Sequence, residues 1–443
     1  MSKLALTFYG DDFTGSTDAL EALTLGGVPS ALFLEPPTPA QLAADFPGVR
    51  AVGVAGVARA MTPEQMDEAL PPIFAALREL GAPICHYKVC STFDSSPRIG
   101  SIGRALELGR AALASAIVPI VVGAPALRRY IAFGNLFAGV GGEAVRLDRH
   151  PTMSRHPVTP MDESDLRRHL ARQTSASVGL VDVLQLAEGP EAVSARLAAL
   201  RREGMEAVLF DTIDAGHLLT IGQVLWEAAA ERPLFVIGSS GVEYALTAWW
   251  REQGVFPPAG PFAAPGPAGQ IVVISGSASP VTAEQIAWAE ANGFTGVRLD
   301  VPRLLTAADG YDGELVELAA TIMAEGRSPL FYSARGPDDA ALKVAAEGGE
   351  RVSERLGVAQ GRVLRAILER TAPRRVCVAG GDTCGHVVRQ LGITAMTVLA
   401  PLAPGSPLCR AHAPHTPRDG LELALKGGQL GGVDFFGRVR DGR

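Results

Sequence analysis

Two adjacent carboxylates, Asp11 and Asp12, open the segment Gly10-Asp11-Asp12-Phe13-Thr14-Gly15-Ser16 directly after a short apolar run. A carboxylate placed there can accept a proton or orient a sugar hydroxyl. The helix start that follows favours an anion. The plainer reading is that Asp12 and Thr14 cap a helix and fill a turn. A second segment, Tyr87 to Gly103, packs Lys88, Ser91, Thr92, Asp94, Arg98 and two glycines behind an apolar run. Cations, hydroxyls and a carboxylate together suit a polyhydroxylated acid; the alternative is a solvated serine-rich loop. In Arg155-His156-Pro157-Val158-Thr159-Pro160 the prolines impose a rigid, non-helical path. His156 there binds an anion or satisfies a backbone carbonyl.

Three further segments suit phosphate. Ser275-Gly276-Ser277-Ala278-Ser279 and Gly380-Gly381-Asp382-Thr383-Cys384-Gly385 are small-residue turns between a strand pattern and a helix pattern. Backbone N–H groups at such a turn, added to the helix N-terminus, form an anion site. Glycine lets the backbone approach a ligand closely. Gly405 lies in a Pro-Gly-Ser-Pro turn, and Lys426 stands beside paired glycines. The chain has no GxxxxGK[ST] loop, no well-placed GxGxxG, no HExxH and no GxSxG. That excludes an ordinary P-loop enzyme and weighs against a dehydrogenase.

The elements that must position these residues alternate. Strands are expected at Leu4–Tyr9, Ala51–Ala55, Ile84–Val89, Ile117–Val122, Ala207–Phe210 and Leu234–Ile237. Helical patterns lie between them, at Ser16–Leu25, Pro63–Leu80 and Ala192–Glu203. Residues 256–269, FPPAGPFAAPGPAG, hold little but proline, alanine and glycine and read as a linker. Beyond it the alternation resumes, with strands at Gln270–Ile274, Val376–Ala379 and Met396–Leu399. Helices follow the first two, at Pro280–Asn292 and His386–Leu391. Such alternation predicts an α/β protein with mostly parallel sheets flanked by helices, in two domains at 1–255 and 270–443.

The chain has 443 residues, 47% hydrophobic and 20% charged, with a net charge of −7. That composition supports two large cores and weighs against nucleic acid as a partner. No apolar run is long enough for a membrane span. The N-terminus, with two early aspartates, does not read as a signal peptide. Five scattered cysteines form no CxxC pair. Free thiols in a reducing cytoplasm, with no zinc site, are therefore expected.

The motifs DDFTGSTDAL, KVCSTFDSSPRIGSIG, RHPVTPMDESDL, SGSASPVTAEQ, VAGGDTCGHV and LALKGGQLGGVDFF follow one another in the order of the four-carbon acid sugar kinase family. The chain resembles that family over essentially its whole length. The resemblance implies an N-terminal sugar-acid domain and a C-terminal ATP domain, with the active site in the cleft between them. Carried over by motif, substrate binding falls on Asp11, Asp12, Lys88, Ser91, Thr92, Asp94, Gly103 and His156. Nucleotide binding falls on Ser277, Ser279, Gly380, Gly381, Asp382, Thr383, Gly405 and Lys426. Asp12 is the expected base, with Asp382 as the alternative or as a magnesium-side residue. Lys88, ahead of Lys426, is expected to neutralise the substrate carboxylate. ATP, Mg2+ and a sugar acid are the implied ligands, and a homodimer is compatible with the pattern. CST followed by Phe93-Asp94 departs from the DST of threonate- and erythronate-type members. It looks more like the branch acting on 3-oxo-tetronates; a kinase of a branched acid such as 3-oxo-isoapionate is the alternative.

Overall fold

A computed structural model describes residues 3–156, 158–306, 310–339 and 350–443. Pro157, expected to stiffen the path beside His156, lies outside the described residues. The chain divides into two compact units. One comprises Met1–Asp11, Ala22–Ala31 and Glu35–Gly260; the other comprises Asp12–Glu21, Leu32–Leu34 and Pro261–Arg443. The chain passes from one unit to the other between Asp11 and Asp12, where no composition break marks it.

In the first unit a wholly parallel sheet runs in the order Ala51–Ala55, Leu6–Gly10, Ile84–Lys88, Leu234–Gly238, Val118–Val121, Ala207–Phe210, Val178–Val181. The first six of these strands are buried throughout, which is why they read as continuous apolar runs. Helices start where caps allow. Thr62 forms a capping box with Gln65 ahead of Pro63–Glu79, and Ser101 caps Ile102–Leu113. Phe74, Leu106 and Phe235 pack in the core, all fully buried. An antiparallel sheet of Arg129–Ala132, Asn135–Val140 and Glu143–Arg146 was not anticipated from sequence. Its first strand bridges Ile131 to Thr212, just past the C-terminal end of Ala207–Phe210.

In the second unit Phe294–Arg298, Ser328–Tyr332, Val272–Ser275, Arg375–Ala379 and Glu422–Lys426 pair in parallel. Ser406–His412 and Ala395–Ala403 then add in antiparallel fashion. Leu32 and Phe33 pair with Met396 and Ala395 and extend this edge. The helix expected from Ser16 starts earlier, at Phe13, and runs to Leu25. The helix expected from His386 likewise starts at Gly381. In both cases a small-residue turn tightens into the first helical turn.

Candidate active site

Three glycine-bearing turns of the second unit converge. The first, residues 275–279, joins the strand Val272–Ser275 to the helix Pro280–Ala291, whose N-cap is Ser279. The second joins Arg375–Ala379 to Gly381–Gln390. The third follows Glu422–Lys426. A Cβ added at Gly276 would stand 2.1 Å from Thr383 Oγ1, and one at Gly428 would stand 2.7 Å from Ser277 Oγ. Gly380 adopts φ +121°, a conformation glycine tolerates and other residues resist. The glycines are therefore required by close packing of the turns on one another. The first N–H groups of the helix Gly381–Gln390, on Gly381, Asp382 and Thr383, have no intrahelical acceptor. An anion is what such a terminus accepts best.

Thr282 ties the turns together. Its hydroxyl meets Ser277 Oγ at 3.0 Å, donates to the Gly428 carbonyl at 3.0 Å, and receives Lys426 Nζ at 3.0 Å. Lys426 is fully buried, and burial lowers its pKa to about 8. Gln285 Nε2 reaches the carbonyls of Leu430, Gly431 and Gly432, at 3.0, 3.2 and 2.9 Å. Neither Thr282 nor Gln285 was singled out from sequence, although both lie in the SGSASPVTAEQ motif.

The segment Asp12–Glu21 belongs to the same unit. Asp12 Oδ1 accepts the Gly15 N–H at 2.8 Å, and Oδ2 accepts the Thr14 hydroxyl at 2.8 Å. The carboxylate thus caps the helix, and it also lies 3.9 Å from where a Gly381 side chain would project. The plain reading of Asp12 as a cap thus holds, and its carboxylate also stands beside the first turn of Gly381–Gln390. Glu21 Oε2 accepts the Gly405 N–H at 2.6 Å. Burial pushes Glu21 up to about 8, against the pull of that bond. Gly405 takes φ +76°, and a Cβ added there would meet Leu430 at 3.7 Å, as one added at Gly427 would at 3.6 Å. Ser277, Ser279, Gly380, Thr383, Gly405 and Lys426 thus share one network of turns. Asp382, in the first helical turn, is exposed.

In the first unit, the substrate candidates collect past the C-terminal ends of the parallel strands, where α/β sheets bind ligands. Asp11 is buried and pairs with Arg59, whose Nη2 reaches Oδ1 at 2.9 Å. Thr92 bonds the Asp94 carboxylate and Cys90 Sγ. Burial opposes the charge on Asp94, but Arg59, the Thr92 hydroxyl, its own backbone N–H and His156 together hold its pKa below the usual carboxylate range. His156 Nδ1 accepts the Thr159 N–H at 3.1 Å. Phe93, between Thr92 and Asp94, sits at φ +56°, a conformation that costs roughly 1–2 kcal/mol outside glycine. It is fully buried with its ring edge-on to His169. Packing around the loop therefore maintains the strain.

Lys88 is buried in its strand, with Nζ donating to the Val89 carbonyl at 3.0 Å. Ser91 is half-buried in the turn. Gly103 stands in the first turn of Ile102–Leu113, where its N–H donates to Gln173 Oε1 at 3.2 Å. A Cβ there would meet Gln173 at 2.7 Å, so Gly103 serves close helix packing at this position. Arg59 was missed from sequence. Of the free cysteines, Cys85, Cys377, Cys384 and Cys409 are buried and Cys90 is half-buried. Burial raises all five thiols, Cys90 to about 11 and Cys85 and Cys377 to about 12.

Comparison with known proteins supports the division of labour. Residues 6–246 match a sugar-binding N-terminal domain, and residues 272–436 match a nucleotide-binding C-terminal domain. A 3-oxo-isoapionate kinase of Paraburkholderia graminis is 50% identical, covering 99% of this chain and 95% of its own. A 3-oxo-tetronate kinase of Methylobacterium radiotolerans is 33% identical over 99% of both chains. The fold is similar to that of a Salmonella typhimurium protein, with TM-score 0.78 and 27% identity over 98% of both chains.

Proposed function

We propose, on the premise that this chain belongs to the four-carbon acid sugar kinase family and is an ATP-using sugar-acid kinase, that its acceptor is the terminal hydroxyl of a 3-oxo sugar acid. The branched 3-oxo-isoapionate comes first and the linear 3-oxo-tetronates second, since the relative named for the former is 50% identical and that for the latter 33%. The first unit binds the acid and the second the nucleotide. The observation that carries the reading is the convergence of the Gly276, Gly380 and Gly428 turns beside the carboxylate of Asp12.

Phosphoryl transfer leaves little covalent chemistry to a protein, so positioning and charge do most of the catalysis. The first-turn N–H groups of Gly381, Asp382 and Thr383, with Ser277, Ser279 and Lys426, hold the phosphates. Asp12 takes the proton of the acceptor hydroxyl as that oxygen bonds to the γ-phosphorus and the bond to the β-phosphate oxygen breaks. Among the described residues no three His, Cys, Asp or Glu form a metal cage. Magnesium on a nucleotide needs none: phosphates, water and one or two carboxylates suffice. Asp382 would supply a carboxylate, and the ion would neutralise phosphate charge. No helix among the described residues is long and apolar enough to cross a membrane. The free thiols suit a reducing cytoplasm.

The test is ADP release with Mg-ATP across 3-oxo-isoapionate, 3-oxo-tetronate, threonate and erythronate. Selective turnover of a 3-oxo acid is expected; preference for threonate or erythronate would sink the substrate assignment. A second result concerns protons. Lys426 is charged below about 8 and neutral above it in the free protein. A phosphate beside it favours the charged form, so ATP binding takes up protons near pH 8 and weakens as pH rises further. Calorimetric titrations in two buffers of different ionisation enthalpy should report that uptake. Zero proton exchange at pH 8 would remove Lys426 from the phosphate contacts.

A further inference from the structure

The antiparallel sheet that the sequence did not reveal carries a cation that makes no ion pair among the described residues. Arg129, the first residue of that sheet, is half-buried. Its Nη1 donates to the Leu127 and Arg128 carbonyls at 3.0 and 3.2 Å, while its Nε is buried without an acceptor. Among the described residues no carboxylate pairs with it. Arg59, Arg146 and Arg167, in contrast, each pair with an aspartate. A guanidinium withdrawn from water loses solvation that an anion would restore. Arg129 lies where an acid would be held: it bridges Ala124, just past the C-terminal end of Val118–Val121, Asp94 attracts it, and burial together with its charge lowers the pKa of His150. The strand Arg129–Ala132 crosses at Ile131 to Thr212, beyond the C-terminal end of Ala207–Phe210. One imidazole, His150, neighbours Arg129, and another, His156, neighbours Asp94. His150 Nδ1 accepts the Thr152 and Met153 N–H groups at 3.2 Å, and His156 Nδ1 accepts that of Thr159.

We propose that Arg129 binds the substrate's carboxylate, with Thr92 and Asp94 left to hold its hydroxyls. This rests on the sugar-acid kinase reading above and assigns one end of the acid to one side chain. The planar guanidinium fits a carboxylate through two parallel hydrogen bonds, which a lysine cannot reproduce. The site thereby selects an acid over the neutral ketose of the same skeleton. It also leaves Lys88, bonded to the Val89 carbonyl, out of carboxylate recognition.

Arg129→Met and Arg129→Lys decide the matter, measured on the full-length chain. The expected result is a KM for 3-oxo-tetronate or 3-oxo-isoapionate raised roughly 30-fold or more in Arg129→Met, the range for truncating one partner of a buried charge pair. KM for ATP and the melting temperature stay within error, and Arg129→Lys recovers part of the loss. An unchanged KM for the acid overturns the assignment, as does an equal loss for acid and ATP. Calorimetric binding of the acid without ATP separates the two readings. Wild-type binding without turnover sinks the kinase reading alone. Equal binding by wild type and Arg129→Met sinks the Arg129 assignment alone.

Discussion

Asp12→Asn lowers kcat by roughly 10²-fold or more and leaves the melting temperature where it was. The two halves of that expectation come from different features of one side chain. Asn is as good an N-cap as Asp, and its Oδ1 keeps the bond from the Gly15 N–H. The Thr14 hydroxyl can rotate to accept from the new amide, so the helix from Phe13 loses nothing. What disappears is the ability to take a proton from the acceptor hydroxyl. Steady-state kinetics with saturating ATP and acid, set beside a thermal melt, read both halves. An unchanged kcat would take the role from Asp12. Asp382→Asn is the companion measurement, because that exposed carboxylate is the alternative candidate for the base.

Lys426→Met raises KM for ATP roughly 30-fold or more without destabilising the chain. A fully buried ammonium loses solvation, and burial has already brought its pKa down to about 8. Methionine has similar length, packs well in irregular space, and carries no charge to desolvate. It would lie against Phe435, whose ring centroid is 5.9 Å from Nζ. Thr282 keeps its contacts with Ser277 and the Gly428 carbonyl, so the turns stay joined. The variant should also lose the proton uptake on ATP binding. A KM within twofold of wild type would show that the lysine serves packing alone.

Much of the scaffold was legible in the sequence, and the reason is burial. Strands such as Ala51–Ala55 and Ala207–Phe210 are covered on both faces, so their apolar runs end where the strands end. The turns at Ser275–Ser279 and Gly380–Thr383 were legible as strand-to-helix connections because each lies between a buried apolar run and a helical pattern. The antiparallel additions were read only in part. Met396–Leu399 was legible, but two register irregularities hid the rest of Ala395–Ala403, and Arg129–Ala132, only partly buried, shows no clean period. Helix starts at Phe13 and Gly381 were missed because glycine and threonine in the first turn resemble loop residues. Partners far apart in the chain left no local trace. Arg59 meets Asp11 across 48 positions, and Lys426 meets Thr282 across 144. A motif can point to Asp11 or Lys426, but the residue that completes each arrangement shows itself only when the chain is folded.

The five raised thiols carry a consequence for how this enzyme meets oxidants. Peroxides, disulfides and alkylating agents attack the thiolate, and a thiol near pKa 11 or 12 supplies roughly one part in 10⁴ to 10⁵ of it at neutral pH. Cys384, in the first turn of the helix that would cradle phosphate, is where a helix N-terminus would normally sharpen reactivity. Burial overrides that effect, and its Sγ is turned toward the Val378 carbonyl. Sulfur here behaves as a compact apolar filler beneath the turn that opens Gly381–Gln390. Phosphoryl transfer would then continue through a swing in cellular redox state that silences enzymes built around an exposed cysteine.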